Sequence, residues 1–312
     1  MPLVSVFMDV EDPINPLADP AALDLATLFS EVGVRGSFCL TGEKCRTLLA
    51  RGRQDILDAY RPHCLGLHTN THSYHPTTME LLADVTYEEG CELAYEAEKK
   101  GFDAFTQAFN RTPSFWGGAG NTWSPEIPFA LSRLGIPAYS YALTGSSVHR
   151  FNGCLAFPQN LSLSEEDWAM NSYFISEALD VIQGSQEKWL GVFVGHPTRF
   201  RHTRYWDTPF NSGQQPLEPE PAEVVDQGIY IASLDRLRIF LRELKNQIVG
   251  LDEMLDSFTF RTPTPKEKDT FREETARNLR GAAKWPIHRS GLDAENIIQK
   301  TLALEDTLLM AL

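Results

Sequence analysis

The segment Gly66-Leu67-His68-Thr69-Asn70-Thr71-His72-Ser73-Tyr74-His75-Pro76 holds three of the eight histidines of this 312-residue chain within eight positions. Imidazole is the commonest protein ligand for a transition metal, and two histidines four residues apart can close on one ion. His68 and His72 are the expected pair. His75, just before Pro76, offers a second register with His72 or a supporting role. Two histidines and one carboxylate leave coordination positions open, the arrangement in which a bound metal activates water.

Three further segments could meet this one. Asp9-Val10-Glu11-Asp12-Pro13 puts three carboxylates in four positions, which repel one another unless a cation holds them. Asp9 and Glu11 share a face if a strand continues that far, and Asp12 on the turn could also reach inward, so either Glu11 or Asp12 is the candidate carboxylate ligand. Asn110-Arg111-Thr112-Pro113 precedes Phe115-Trp116-Gly117-Gly118. If Arg111 pairs with Asp9, its planar fork fixes that carboxylate and keeps its pKa low. The two glycines would let a substrate approach backbone N–H groups. Val192-Phe193-Val194-Gly195-His196-Pro197 ends a buried strand in a histidine suited to general-acid work, with Glu165, Glu166 and Asp167 as residues that could orient it. Trp116, Trp123, Trp168 and Trp206 fall in or near loops, where flat aromatic surfaces suit sugar stacking. Each segment alone also fits an ordinary turn or a core side chain; the four together favour a site.

The elements that must position these residues follow from periodicity. Leu3–Met8, Val34–Leu40, His63–Leu67, Ser114–Trp116, Ala138–Leu143 and Trp189–Val194 read as strands. Ala21–Val32, Lys44–Tyr60, Tyr87–Phe109 (opened by Thr86), Pro125–Leu134, Ser172–Gln183 and Leu234–Val249 read as helices. Alternating strands and helices imply a mainly parallel sheet. The chemically interesting residues all follow strand C-terminal ends, where a β/α barrel or an open α/β sheet carries its active site. The stretch from Pro197 to Gly228 has little periodicity and reads as a long irregular excursion. Composition shifts near Leu251, and Pro263 and Pro265 mark a boundary, which gives a barrel over residues 1–250 and a helical extension over 251–312. The last helix, Ala294–Leu312, is apolar enough to need a partner surface, on its own barrel or on a second copy.

In this order, the motifs resemble the polysaccharide deacetylase family, the NodB-homology domains of carbohydrate esterase family 4. They are Phe7-Met8-Asp9-Val10-Glu11-Asp12, His68-Thr69-Asn70-Thr71-His72, Arg111-Thr112-Pro113 and Gly195-His196, and the resemblance spans roughly residues 3–249. It implies an α/β fold, a distorted (β/α) barrel of about seven strands, and metal-dependent hydrolysis of an N- or O-acetyl group on a sugar. Asp9 then looks like the catalytic base, Glu11 or Asp12 with His68 and His72 like the metal triad, Arg111 like the tether of the base, and His196 like the general acid. Water activated by the metal would be the nucleophile, and Trp116, Gly117, Gly118 and Trp123 would line the substrate. The ion expected is zinc, with cobalt, iron, manganese or nickel as substitutes. The first motif departs from the usual pair of adjacent aspartates, like divergent members that open cyclic amides. Two other readings therefore stand beside the deacetylase: a ring-opening amidohydrolase, and a metal- or sugar-binding protein without turnover.

The formal charge of −14 argues against a nucleic-acid or anionic-membrane partner. An acylated sugar or small amide is the expected partner, with a homo-oligomer through the C-terminal helices as a further expectation. The five cysteines form no CxxC pair and fit reduced, buried thiols. With no secretory signal or membrane span in view, the expected location is cytoplasmic.

Overall fold

The first strand, β1 (Leu3–Val10), carries two alternating faces. Val4, Val6, Met8 and Val10 join one core with Leu25, Ala26 and Phe29 of the first helix. Ser5, Phe7 and Asp9 take the other face, with Ser5 bonded to Ser37 at 2.8 Å and Phe7 in a second core with Cys39, Phe115 and Phe157. A strand buried on both faces belongs to a sheet with helices outside and a filled interior. The computed structural model describes residues 1–140, 148–163, 168, 173–210 and 220–312.

The strands after β1 are β2 (Ser37–Leu40), β3 (Cys64–Leu67), β4 (Phe115–Gly117), β5 (Ala138–Ser140), β6 (His149–Phe151), β7 (Cys154–Phe157), β8 (Leu161–Ser162), β9 (Trp189–Phe193) and β10 (Leu309–Ala311). Their order in the sheet is β10-β6-β7-β5-β4-β3-β2-β1-β9-β8. Pairing is parallel throughout except at β6 and β10. Only residues 158–160 separate β7, which pairs with β5, from β8, which pairs with β9. One extended segment thus bonds to both sides of the sheet, and the sheet must curl around to meet it. Asn160 strengthens the closure, its N–H donating to Gly191 O and its side-chain oxygen accepting from Gly191 N–H, both at 2.8 Å. With β7 and β8 taken as one stave, the wall has seven, the distorted (β/α) barrel of about seven strands that the resemblance implies.

Twelve α-helices are described: α1 (Ala18–Val32), α2 (Gly42–Ala50), α3 (Gln54–Tyr60), α4 (Thr78–Leu82), α5 (Tyr87–Phe109), α6 (Glu126–Leu134), α7 (Phe174–Gly184), α8 (Pro197–Arg201), α9 (Gln227–Glu243), α10 (Leu251–Met254), α11 (Pro265–Ala282) and α12 (Glu295–Leu308). Several differ from the periodicity. The single helix expected over Lys44–Tyr60 breaks at Arg51-Gly52-Arg53, where Gly52 takes φ +65°. The last helix of the barrel starts at Gln227 rather than Leu234, because Asp226 caps it by accepting from Gly228 and Ile229 N–H. The excursion after Pro197 opens with α8, where Pro197 occupies the first helical turn. The strand expected over Ala138–Leu143 is described only to Ser140.

The C-terminal segment covers this chain's own barrel. Lys300 of α12 donates to Leu82 O at 2.8 Å and pairs with Glu126 of α6, both side chains being buried. The helix expected to run to Leu312 ends at Leu308, and β10 then extends the sheet beside β6. All five cysteines are free and buried. Among the described residues, no helix is long and apolar enough to cross a membrane.

Candidate metal and acid–base site

Asp9 lies on the inner face of β1, one register step beside Cys39 of β2. Glu11 follows on the same side as the strand ends. His68 follows β3, and the loop that carries it is held at α2, whose Gly42 and Glu43 N–H donate to Thr69 O and Asn70 O. Thr69 and His72 both take φ +55°, an uncommon conformation for residues with a side chain that costs about 1–3 kcal/mol each. In return the loop turns tightly, Thr69 Oγ1 accepting from His72 N–H at 3.1 Å, and both imidazoles face the barrel mouth. At β9, Gly195 takes φ +105°, a glycine conformation that turns the chain and brings His196 over the same mouth.

The structure brings together Asp9, Glu11, His68, His72 and His196. Glu11 Oε2 lies 2.7 Å from His72 Nε2 and 3.3 Å from His68 Nε2. His196 Nε2 stands 3.8 Å from Glu11 and 3.9 Å from Asp9 Oδ2. Glu11, His68 and His72 side chains are 2–6% exposed, whereas Asp9 and His196 keep 16% and 14%. Three donors are thus enclosed and two titratable groups stand where a ligand can reach.

The donors fit a cation. His68 Nδ1 is 3.1 Å from the Gly117 carbonyl, which can only accept, so Nδ1 carries a proton and Nε2 is the atom left to meet a cation. Burial lowers the His68 pKa, but the Asp9 and Glu11 carboxylates outweigh it and push it up to about 9, so a positive charge is favoured at this point. Glu11 Oε1 accepts from Trp206 Nε1 at 3.0 Å, but Oε2 makes no hydrogen bond despite the nearby imidazoles. An orphaned buried carboxylate oxygen facing two imidazole nitrogens is a donor set for a divalent ion. A second group, Asp9, Cys39 and His68, overlaps it. Burial pushes the Asp9 carboxyl up, and the facing His68 and His196 only partly offset this. For Glu11, burial is outweighed by His72 and His196, which hold its carboxyl well below the usual range.

Other expected residues lie elsewhere. Asp12 is not a donor to this cluster. Its Oδ1 accepts from Ile14 and Asn15 N–H at 2.8 and 2.9 Å, and its Oδ2 accepts from Asn15 Nδ2 at 2.7 Å and from Thr198 Oγ1. The Asp-Pro turn folds its carboxylate back on the loop, whose carbonyl is held by buried Lys44. Arg111 does not tether Asp9. It donates to Arg61 O and His63 O, before β3, whereas the site lies after β3, roughly 16 Å along the strand. His75 turns to Glu80 at 2.8 Å. Trp116 and Trp123 are core side chains, 0% and 1% exposed, Trp116 donating to Glu98 and Trp123 packing on Tyr139 and Phe151. Gly117 gives its carbonyl to His68, and a Cβ there would meet Cys39 Sγ at 2.8 Å; one on Gly118 would meet Thr122 O at 2.2 Å. Glu165, Glu166 and Asp167 lie outside the described residues.

Sequence reasoning missed Cys39, Ser73, Tyr205, Trp206 as a partner of Glu11, and Asp207. Cys39 had a signal, since alternation on β2 aligns it with Asp9. The residues of the irregular excursion had none, because no periodicity places them.

No family model and no curated protein matches the chain. Solved structures do. A protein from Mycobacterium smegmatis, provisionally named a polysaccharide deacetylase, aligns at 14% identity over 84% of this chain and 93% of its own, with TM-score 0.52. A CE4 family pseudoenzyme from Bacillus anthracis aligns at 13% identity over 81% of this chain and 65% of its own, with TM-score 0.48. A family 4 carbohydrate esterase from Streptomyces lividans aligns at 12% identity over 80% and 91%, with TM-score 0.45. The fold is the distorted (β/α) barrel of the Mycobacterium smegmatis protein, in divergent form.

Proposed function

We propose that this protein is a divalent-metal-dependent hydrolase that removes an acetyl or related acyl group from a carbohydrate-type substrate. The observation that carries the reading is the orphaned Glu11 Oε2 facing His68 and His72 Nε2, with Asp9 and His196 at the open side. Glu11, His68 and His72 would hold the ion. A bound divalent ion supplies a Lewis acid for the acyl oxygen and lowers the pKa of water, and zinc suits a carboxylate with two imidazoles. Asp9 Oδ2 would take a proton from an attacking water, and a pKa raised by burial makes it a stronger base than an exposed aspartate. His196 Nε2, across from it, is placed to return a proton to the departing nitrogen or oxygen.

One observation favours a second reading, binding without turnover: the arginine expected to fix Asp9 is bonded elsewhere. Elemental analysis and an acetate-release assay on N- and O-acetylated sugars separate the two. About one ion per chain, lost in His68→Ala, with acetate release lost in Asp9→Asn while the ion stays bound, is the expected result. An ion without turnover of acetylated sugars or cyclic amides would favour the binding protein, and no ion at all would remove both readings.

A further inference from the structure

Three consecutive residues of the irregular excursion reach three sides of this site. The Tyr205 ring stands edge-on to His196, with centroids 5.1 Å apart. Trp206 Nε1 donates to Glu11 Oε1 at 3.0 Å. Asp207 Oδ2 accepts from Ser73 Oγ at 2.6 Å, and Ser73 Oγ lies 2.6 Å from His72 Nδ1. Trp206 packs on His72, Tyr74 and Phe210, which keeps the segment seated. Asp207 and His72 side chains are 7% and 6% exposed, so water does not replace these contacts.

We propose that residues 205–207 are an outer clamp on the metal site and that Asp207, acting through Ser73, is the positioning residue that makes His72 a ligand. The inference rests on the metal-site reading above. A serine hydroxyl has one hydrogen. Because Ser73 gives it to Asp207, it can only accept from His72, so the His72 proton sits on Nδ1 and Nε2 presents a lone pair toward Glu11. Without Asp207 the hydroxyl is free to turn and donate to Nδ1. The proton then moves to Nε2, 2.7 Å from Glu11 Oε2, where it takes up the lone pair that an ion would need. Trp206 completes the arrangement by occupying Oε1 and leaving Oε2 for the ion. Outer partners of this kind typically change metal affinity about 10–100-fold.

The test is zinc affinity of the chelator-treated full chain, by competition with a chromogenic chelator, together with ¹⁵N NMR of labelled histidine. Asp207→Ala and Ser73→Ala should each weaken zinc binding about 10–100-fold, and the double variant should be no weaker than either alone. Asp207→Asn, whose amide oxygen still accepts from Ser73, should recover most of the affinity. The free wild type should show His72 protonated at Nδ1, and Asp207→Ala at Nε2. Wild-type affinity and tautomer in both alanine variants would overturn the clamp while leaving the metal site standing. No zinc binding by the wild type would remove the metal site and the clamp together. Ser73→Ala, the smaller change, keeps the test valid if Asp207→Ala does not fold.

Discussion

Glu11 and Asp12 are neighbours of the same chemical type, and the structure gives them opposite jobs that a crossed pair of substitutions separates. Asp12→Asn keeps size and shape but turns one acceptor oxygen into an NH₂ group. If the remaining carbonyl oxygen serves Ile14 and Asn15 N–H, the new NH₂ faces the Asn15 side-chain NH₂. Asn15 cannot simply flip, because its own oxygen accepts from Ala222 N–H at 2.7 Å. Thr198 can rotate and accept, so one charge-assisted bond is lost outright and the others weaken. At about 1.5–3 kcal/mol for a hydrogen bond to a charged group, the loss is roughly 2–3 kcal/mol. For a chain this long, about 2 °C of melting temperature per kcal/mol gives a drop of about 4–6 °C, with the metal retained. Glu11→Gln should do the reverse. Its oxygen can still accept from Trp206, and its NH₂ can donate to an imidazole nitrogen, so melting should change by less than about 2 °C in metal-free protein while the ion is lost. Thermal melts beside elemental analysis read both arms. Loss of metal in Asp12→Asn with retention in Glu11→Gln would refute the assignment.

Lys300→Met should destabilise the fold by about 3–5 kcal/mol, because it leaves the fully buried Glu126 without its cation. Adding Glu126→Leu should restore most of this, and urea midpoints that show no coupling would mean that α12 does not dock on α6. His63, buried at Ala26 O and beside the Arg35 and Arg111 charges, has its pKa pushed down to about 4 from 6.5. The folded state therefore resists a proton that the unfolded chain accepts: stability is full above pH 6.5 and falls as pH drops toward 4, by roughly 2–3 kcal/mol. His288, lowered to about 4 by burial, adds to the same trend, so His63→Gln should flatten only part of it; an unchanged pH profile of the urea midpoint would count against the His63 share. Arg111→Ala should cost about 1–2 kcal/mol through its lost carbonyl contacts and leave metal content and the pH profile of hydrolysis unchanged. A large fall in turnover with metal and stability intact would restore its expected role beside Asp9.

Local order carried much of the fold in readable form. Alternation on β1 placed Asp9 and Glu11 on one side, and strand–helix alternation implied a mainly parallel sheet with its chemistry at the strand C-terminal ends. The histidine spacing named His68 and His72 before any contact was known. Each signal is a period along the chain, which fixes the face a side chain takes. Side-chain direction at a turn is different, because partners distant in sequence decide it. Asp12 turned away because Asn15 and Thr198 supply its donors, and Arg111 stayed below the site because β3 separates the carbonyls it caps from the histidines. The tertiary structure alone joined β7 to β8 in one closing stave. It also set Trp206 and Asp207 around Glu11 and His72, since the stretch that carries them has no sequence period that could place them.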